Sequence, residues 1–164
     1  MKSLIHEDAW STVHRDWNFA IKKVNHWKFQ LGRFLTPEEL ITREAYALEK
    51  LRDITGVQSL VEYCSVKRVL VTNFVEGIPL SQITCRSRYK EQVTIILEQL
   101  KKRGIIKILG WSQDLIVQKK WKIVLIDFWS CLFENDGIIR NFLWNKWTNL
   151  KVNLIMQDKT RHRD

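Results

Sequence analysis

Leu125-Ile126-Asp127-Phe128 closes the apolar run Ile123 to Ile126, and Trp129-Ser130-Cys131 follows it. A carboxylate at the mouth of a buried strand is costly to place unless it meets a cation or another fixed partner. Asp also opens turns, so many strands end in one for no further reason. The order of features upstream bears on the choice: a strand lysine, a helix glutamate, a hinge-like strand and a degenerate loop.

The first of these is Lys22, in the aromatic and β-branched stretch Trp17 to Val24, read as a strand. After a basic loop, Thr36-Pro37-Glu38-Glu39 marks a helix start. Thr36 caps, Pro37 suits the first helical position, and Glu39 completes a capping box. The helix is expected to run to about Ile54, with Gly56 ending it. Its apolar stripe is Leu40, Ala47, Leu48, Leu51 and Ile54, and Glu44 falls inside that stripe. An inward glutamate needs a partner, and a lysine on a neighbouring strand is the natural one. A glutamate at the stripe's edge would instead reach solvent.

Val61 to Val66 and Val69 to Val75 read as strands of a hairpin around Lys67-Arg68. Glu76-Gly77-Ile78-Pro79-Leu80 then punctuates the chain sharply, as a hinge between lobes would. A second helix is expected from about Arg88 to Arg103, ended by Gly104. Ile105 to Leu109 leads into Gly110-Trp111-Ser112-Gln113-Asp114, and strands Leu115 to Val117 and Ile123 to Ile126 flank a lysine-rich turn. A last amphipathic helix is expected from about Gly137 to Ile155. The fold class is α+β.

Composition narrows the classes. Hydrophobic content of 45% and charged content of 27% over 164 residues suit one core-forming domain, or two small lobes. Six glycines and two prolines leave little for linkers, and no low-complexity segment or repeat occurs. The net charge of +9 suits polyanions, although its clusters, such as Lys101-Lys102-Arg103 and Lys119-Lys120, are scattered. Cys64, Cys85 and Cys131 form no C-x-x-C spacing, which favours a reducing compartment. No apolar run has the length of a membrane span. With His6, Glu7 and Asp8 the N-terminus does not read as a secretory signal, so a cytoplasmic location is expected. Eight tryptophans among basic residues could stack single-stranded nucleic acid, but no nucleic-acid motif accompanies them, and packing in cores or lobe contacts explains most of them better.

Taken in order, these motifs resemble the protein-kinase-like fold, in particular its small lipopolysaccharide-core and RIO-like kinases, from about Ser11 to Asp127. Phe19-Ala20-Ile21-Lys22 looks like the strand whose lysine binds nucleotide phosphates. Arg43-Glu44-Ala45 is similar to the helix whose glutamate pairs with that lysine. Thr72-Asn73-Phe74-Val75-Glu76-Gly77 looks like the hinge, where backbone groups of Asn73 and Val75 would face an adenine. Asp127-Phe128 resembles the metal-binding Asp-Phe-Gly, with Trp129 in place of glycine. The resemblance implies two lobes, an N-lobe over about residues 1–76 and a reduced, mostly helical C-lobe over about 77–164. It also implies ATP and Mg²⁺, held by Lys22, Glu44, Asn73, Val75, Asp127 and Asp114.

The departures shape the functional expectation. No glycine occurs before Gly32, where a phosphate-cradling loop should lie. Read without gaps from Gly104, the family's His and catalytic Asp fall on Lys107 and Leu109, and a leucine accepts no proton. Asp114 then stands as second metal ligand or, in another register, as the base. Too little chain follows Asp127 for the lobe that holds protein substrates. One reading is a minimal phosphotransferase acting on a sugar, lipid head group or small molecule. Another is a pseudokinase, a binding or regulatory module with a small-molecule or protein partner. A basic nucleic-acid-binding protein is the third.

Overall fold

The capping box at Thr36 forms as its residue types demand. The Thr36 hydroxyl accepts from the Glu39 N–H, and the Glu39 carboxylate accepts from the Thr36 N–H. The bonds from Thr36 hold the Glu39 carboxyl below the ordinary carboxylate range. The helix this box starts, α1 (Pro37–Lys50), stops at a cap on Leu51, earlier than the Ile54 that periodicity suggests. Leu51–Asp53 is already turn. The computed structural model describes residues 2–7, 11–24, 36–107, 112–129, 131–134, 136 and 156. The helix expected over Gly137 to Ile155 lies outside the described residues.

The chain divides into two units. The first comprises Met1–Asp53, Gln58–Phe74 and Asp127–Ser130. Its described residues form the strands β1 (Ser3–Glu7), β2 (Ser11–Asp16), β3 (Phe19–Val24), β4 (Leu60–Cys64) and β5 (Val69–Asn73). They form one antiparallel sheet in the order β1-β2-β3-β5-β4. β1 and β2 are additions to the sequence reading. β1 is exposed along its whole length, so it carries no buried face for periodicity to reveal. Trp17 belongs to the turn between β2 and β3, with a left-handed φ of 55°, and the strand read from it starts at Phe19. Period-two geometry puts Ala20, Lys22 and Val24 on one face of β3, and Ala20 and Val24 are buried there. α1 buries Leu40, Ile41, Glu44, Ala45, Ala47, Leu48 and Leu51.

The second unit comprises Ile54–Val57, Val75–Ile126 and Cys131–Asp164. It contains β6 (Ile78–Pro79), α2 (Lys90–Lys102), β7 (Ile105–Lys107), β8 (Leu115–Val117), β9 (Ile123–Leu125) and β10 (Cys131–Phe133). β6, β8 and β9 form an antiparallel sheet in that order, and β7 pairs with β10. β6 and β10 are strands that the sequence reading did not place. α2 buries Val93, Ile96, Leu97 and Leu100 along one stripe.

Gly77 allows β6 to approach β8. A Cβ there would collide with the Val117 carbonyl oxygen and lie 2.7 Å from Ile116 Cγ2. Gly77→Ala should therefore destabilise the protein by about 2 kcal/mol, which thermal melting would read as a drop of about 6 °C. An unchanged melting point would show that β6 is free to move away. No described helix is long and apolar enough to cross a membrane.

Candidate functional site

Lys22, Glu44 and Asp127 lie 22 and 105 positions apart from one another in pairs with Lys22, yet the first unit brings all three together. Lys22 Nζ is 2.7 Å from Glu44 Oε2 and 2.9 Å from Asp127 Oδ1. β3 supplies the lysine on its buried face, and α1 supplies the glutamate from within its apolar stripe. Glu44 is 2% exposed. Its other oxygen, Oε1, accepts the buried N–H of Phe128 at 3.2 Å, so one carboxylate fixes both the lysine and the backbone after Asp127.

The Lys22 side chain retains 14% exposure and that of Asp127 45%, so the cluster has a closed side at Glu44 and an open side at Asp127. The indole of Trp129 supplies a further neighbour, with Lys22 Nζ 4.9 Å from the ring centroid. That is cation–π range. Burial by itself would lower the pKa of Lys22. The charges of Glu44 and then Asp127, together with their hydrogen bonds, overcome burial and hold it above the ordinary lysine range. The lysine is therefore charged at neutral pH. A raised folded-state pKa favours folding fully below the unfolded value of about 10.4, and the benefit disappears as pH rises through the folded value.

Asp127 adopts a left-handed φ of 58°, a conformation that Asp tolerates better than most residues. Its Oδ1 also accepts from the Trp129 N–H at 3.4 Å, the local pattern of an Asx turn. The two readings of this carboxylate coexist: it opens a turn and it faces a cation.

The other predicted residues make contacts of their own. Asn73 ends β5; its N–H donates to the Ser59 carbonyl at 3.0 Å, and its carbonyl accepts from Gln58 Nε2 at 3.1 Å. Val75 belongs to the second unit. So does Asp114, whose Oδ2 is 3.0 Å from Lys107 Nζ. The Lys107 side chain is 1% exposed, so its ammonium is desolvated and Asp114 neutralises it. Sequence reasoning placed Lys107 in a loop position and missed this pairing. Its one available signal was a lysine flanked by the apolar Ile105, Ile106 and Ile108. The contact of Trp129 with Lys22 had no sequence signal beyond adjacency to Asp127.

No protein-family model matches this chain. No curated protein matches it either.

Among the described residues, no group of three or more His, Cys, Asp or Glu is placed to hold a metal ion. Asp127 could still serve as a single ligand. Mg²⁺ commonly takes one or two protein carboxylates and completes its shell with phosphate oxygens and water.

Proposed function

We propose that the chain is an ATP-binding protein of protein-kinase-like type, with its phosphate-binding end at Lys22. The supporting observation is the lysine held between a buried carboxylate from a helix and an exposed carboxylate from a turn. In this reading Glu44 keeps the ammonium in place, and Lys22 neutralises phosphate charge. The half-exposed carboxylate of Asp127 would hold a divalent cation. Mg²⁺, when bound, would add positive charge against the phosphates. Phosphoryl transfer draws mainly on positioning and electrostatics, so a minimal phosphotransferase acting on a sugar, lipid head group or small molecule is compatible with this set.

A second reading, a pseudokinase that binds and does not transfer, is favoured by a separate observation. Asp114, the carboxylate left for a base or second metal ligand, is paired with buried Lys107. The segment linking β1 to β2 also runs through Asp8-Ala9-Trp10 and contains no glycine, so it does not read as a phosphate-cradling loop.

A thermal-shift titration with ATP, with and without Mg²⁺ or Mn²⁺, tests the common core of both. Nucleotide at a hundredfold excess over Kd should stabilise wild type by about 2.7 kcal/mol, a rise of about 8 °C. Lys22→Ala, measured against its own ligand-free melting point, should lose most of that rise. No shift at saturating nucleotide would end the proposal. Phosphate release or transfer that disappears in both Asp127→Ala and Asp114→Ala would establish the enzyme; binding without turnover would establish the pseudokinase.

A further inference from the structure

The turn between β8 and β9 carries a set of features that the nucleotide site does not use. It reads Gln118-Lys119-Lys120-Trp121-Lys122, closed by the Gln118 N–H donating to the Lys122 carbonyl at 2.8 Å. Lys120 and Trp121 both sit in the left-handed region, with φ of 62° and 61°. Glycine or asparagine takes up that conformation with less strain than lysine or tryptophan. Strained backbone of this kind concentrates at functional sites.

The strained turn is held rigidly. Gln92 on α2 donates from Nε2 to the Trp121 carbonyl at 3.0 Å, and its Oε1 accepts the Ile123 N–H at 3.1 Å. The grip holds the backbone at Trp121, a residue that is 58% exposed. The guanidinium of Arg88 lies over that ring, 4.1 Å from the centroid. Arg88, Lys119, Lys120 and Lys122 are all exposed, and among the described residues none of them pairs with a carboxylate. Lys119, Lys120 and Trp121 also line an open cavity of about 650 Å³, together with Ile78 and Ile83. Glu76 is the single acid in that lining.

We infer that this turn is a binding site for single-stranded nucleic acid. One face of Trp121 is taken by a guanidinium, which sets the ring plane and leaves the other face for a flat π partner such as a base. The four cations around it match a phosphate backbone, and aromatic stacking combined with basic side chains is how single strands are held without sequence preference. The cavity beside the ring is large enough to take an unstacked base. A membrane surface fits less well. The turn offers one aromatic ring, covered on one side by a cation, and its other exposed side chains are lysines.

The test is fluorescence anisotropy of a labelled single-stranded RNA, and of the same sequence as DNA, on the full chain over a range of salt. Wild type should bind with strong salt dependence. Trp121→Ala should weaken binding about tenfold, while Trp121→Phe retains most of it. Replacing Lys119, Lys120 and Lys122 together by serine should reduce the slope of log K against log salt by about 2. Lys120→Gly separates function from folding: it should melt no lower than wild type and still bind more weakly. Absence of oligonucleotide binding, or unchanged affinity in Trp121→Ala, overturns the assignment. So would preferential binding to phosphatidylserine vesicles that Trp121→Ala abolishes, which would make the turn a membrane contact.

Discussion

Glu44→Ala is expected to lower stability by about 4 kcal/mol and the melting temperature by about 12 °C. Glu44 is 2% exposed, and its carboxylate accepts from the Lys22 ammonium at 2.7 Å and from the Phe128 N–H at 3.2 Å. Alanine removes both acceptors, leaves a largely buried cation with only the exposed Asp127 carboxylate, and opens a void in the apolar stripe of α1. Glu44→Gln preserves the shape and can still accept from Phe128, so it should cost clearly less. Its defect should appear in the ATP-induced shift, because a neutral amide no longer holds the lysine by charge. Circular dichroism melts of the two variants would decide the matter. Loss of less than about 1 °C in Glu44→Ala would mean that water replaces the carboxylate without cost.

The second large effect is expected at Asp114. Removing its carboxylate in Asp114→Ala takes away the ion pair of Lys107, whose side chain is 1% exposed, at a cost of about 3 kcal/mol or more. Replacing both partners, Lys107→Met together with Asp114→Leu, should behave in the opposite way. Apolar side chains at both positions remove the penalty of burying the two charges, and replacement of a whole buried pair is often neutral or stabilising. The asymmetry between the two variants is the diagnostic result. Equal losses in both would show that the pair contributes through bonds that apolar side chains cannot replace. Activity assays on Asp114→Ala need this comparison beside them, since a fall in turnover caused by unfolding would look like a lost catalytic carboxylate.

Local signals were legible in the sequence, and the long-range ones were legible only where a period exposed them. The capping box over Thr36 to Glu39 needs four consecutive residues, and it forms. Glu44 could be placed inward because Leu40 and Leu48 bracket it at helical spacing, which left a lysine as the economical partner. The pair Lys22–Glu44 follows from that logic. β1 and β2 escaped because Ser3–Glu7 has no buried residue and Ser11–Asp16 buries only Ser11. A strand without a buried face has no alternation to read. α1 ended early because Leu51, an apolar residue in phase with the stripe, is buried as the cap rather than as part of the helix. The Lys107–Asp114 pair was invisible for a related reason: whether a short strand such as Ile105–Lys107 buries its lysine depends on what it pairs with, here Cys131–Phe133.

The cluster also has a history during synthesis. Lys22 and Glu44 are 22 positions apart, but Asp127 joins Lys22 across 105. Closing a loop of that length costs about 4 kcal/mol of chain entropy. At translation speeds of about 10 residues per second, Lys22 and Glu44 leave the ribosome well before their third member. For several seconds the emerged chain contains Lys22 and Glu44 without Asp127. The arrival of Asp127 and Phe128, which donates its N–H to Glu44, then completes the set. A chain cut short before residue 127 would lack the exposed carboxylate and the backbone donor together, so the site is complete only once residues 127 and 128 have been added.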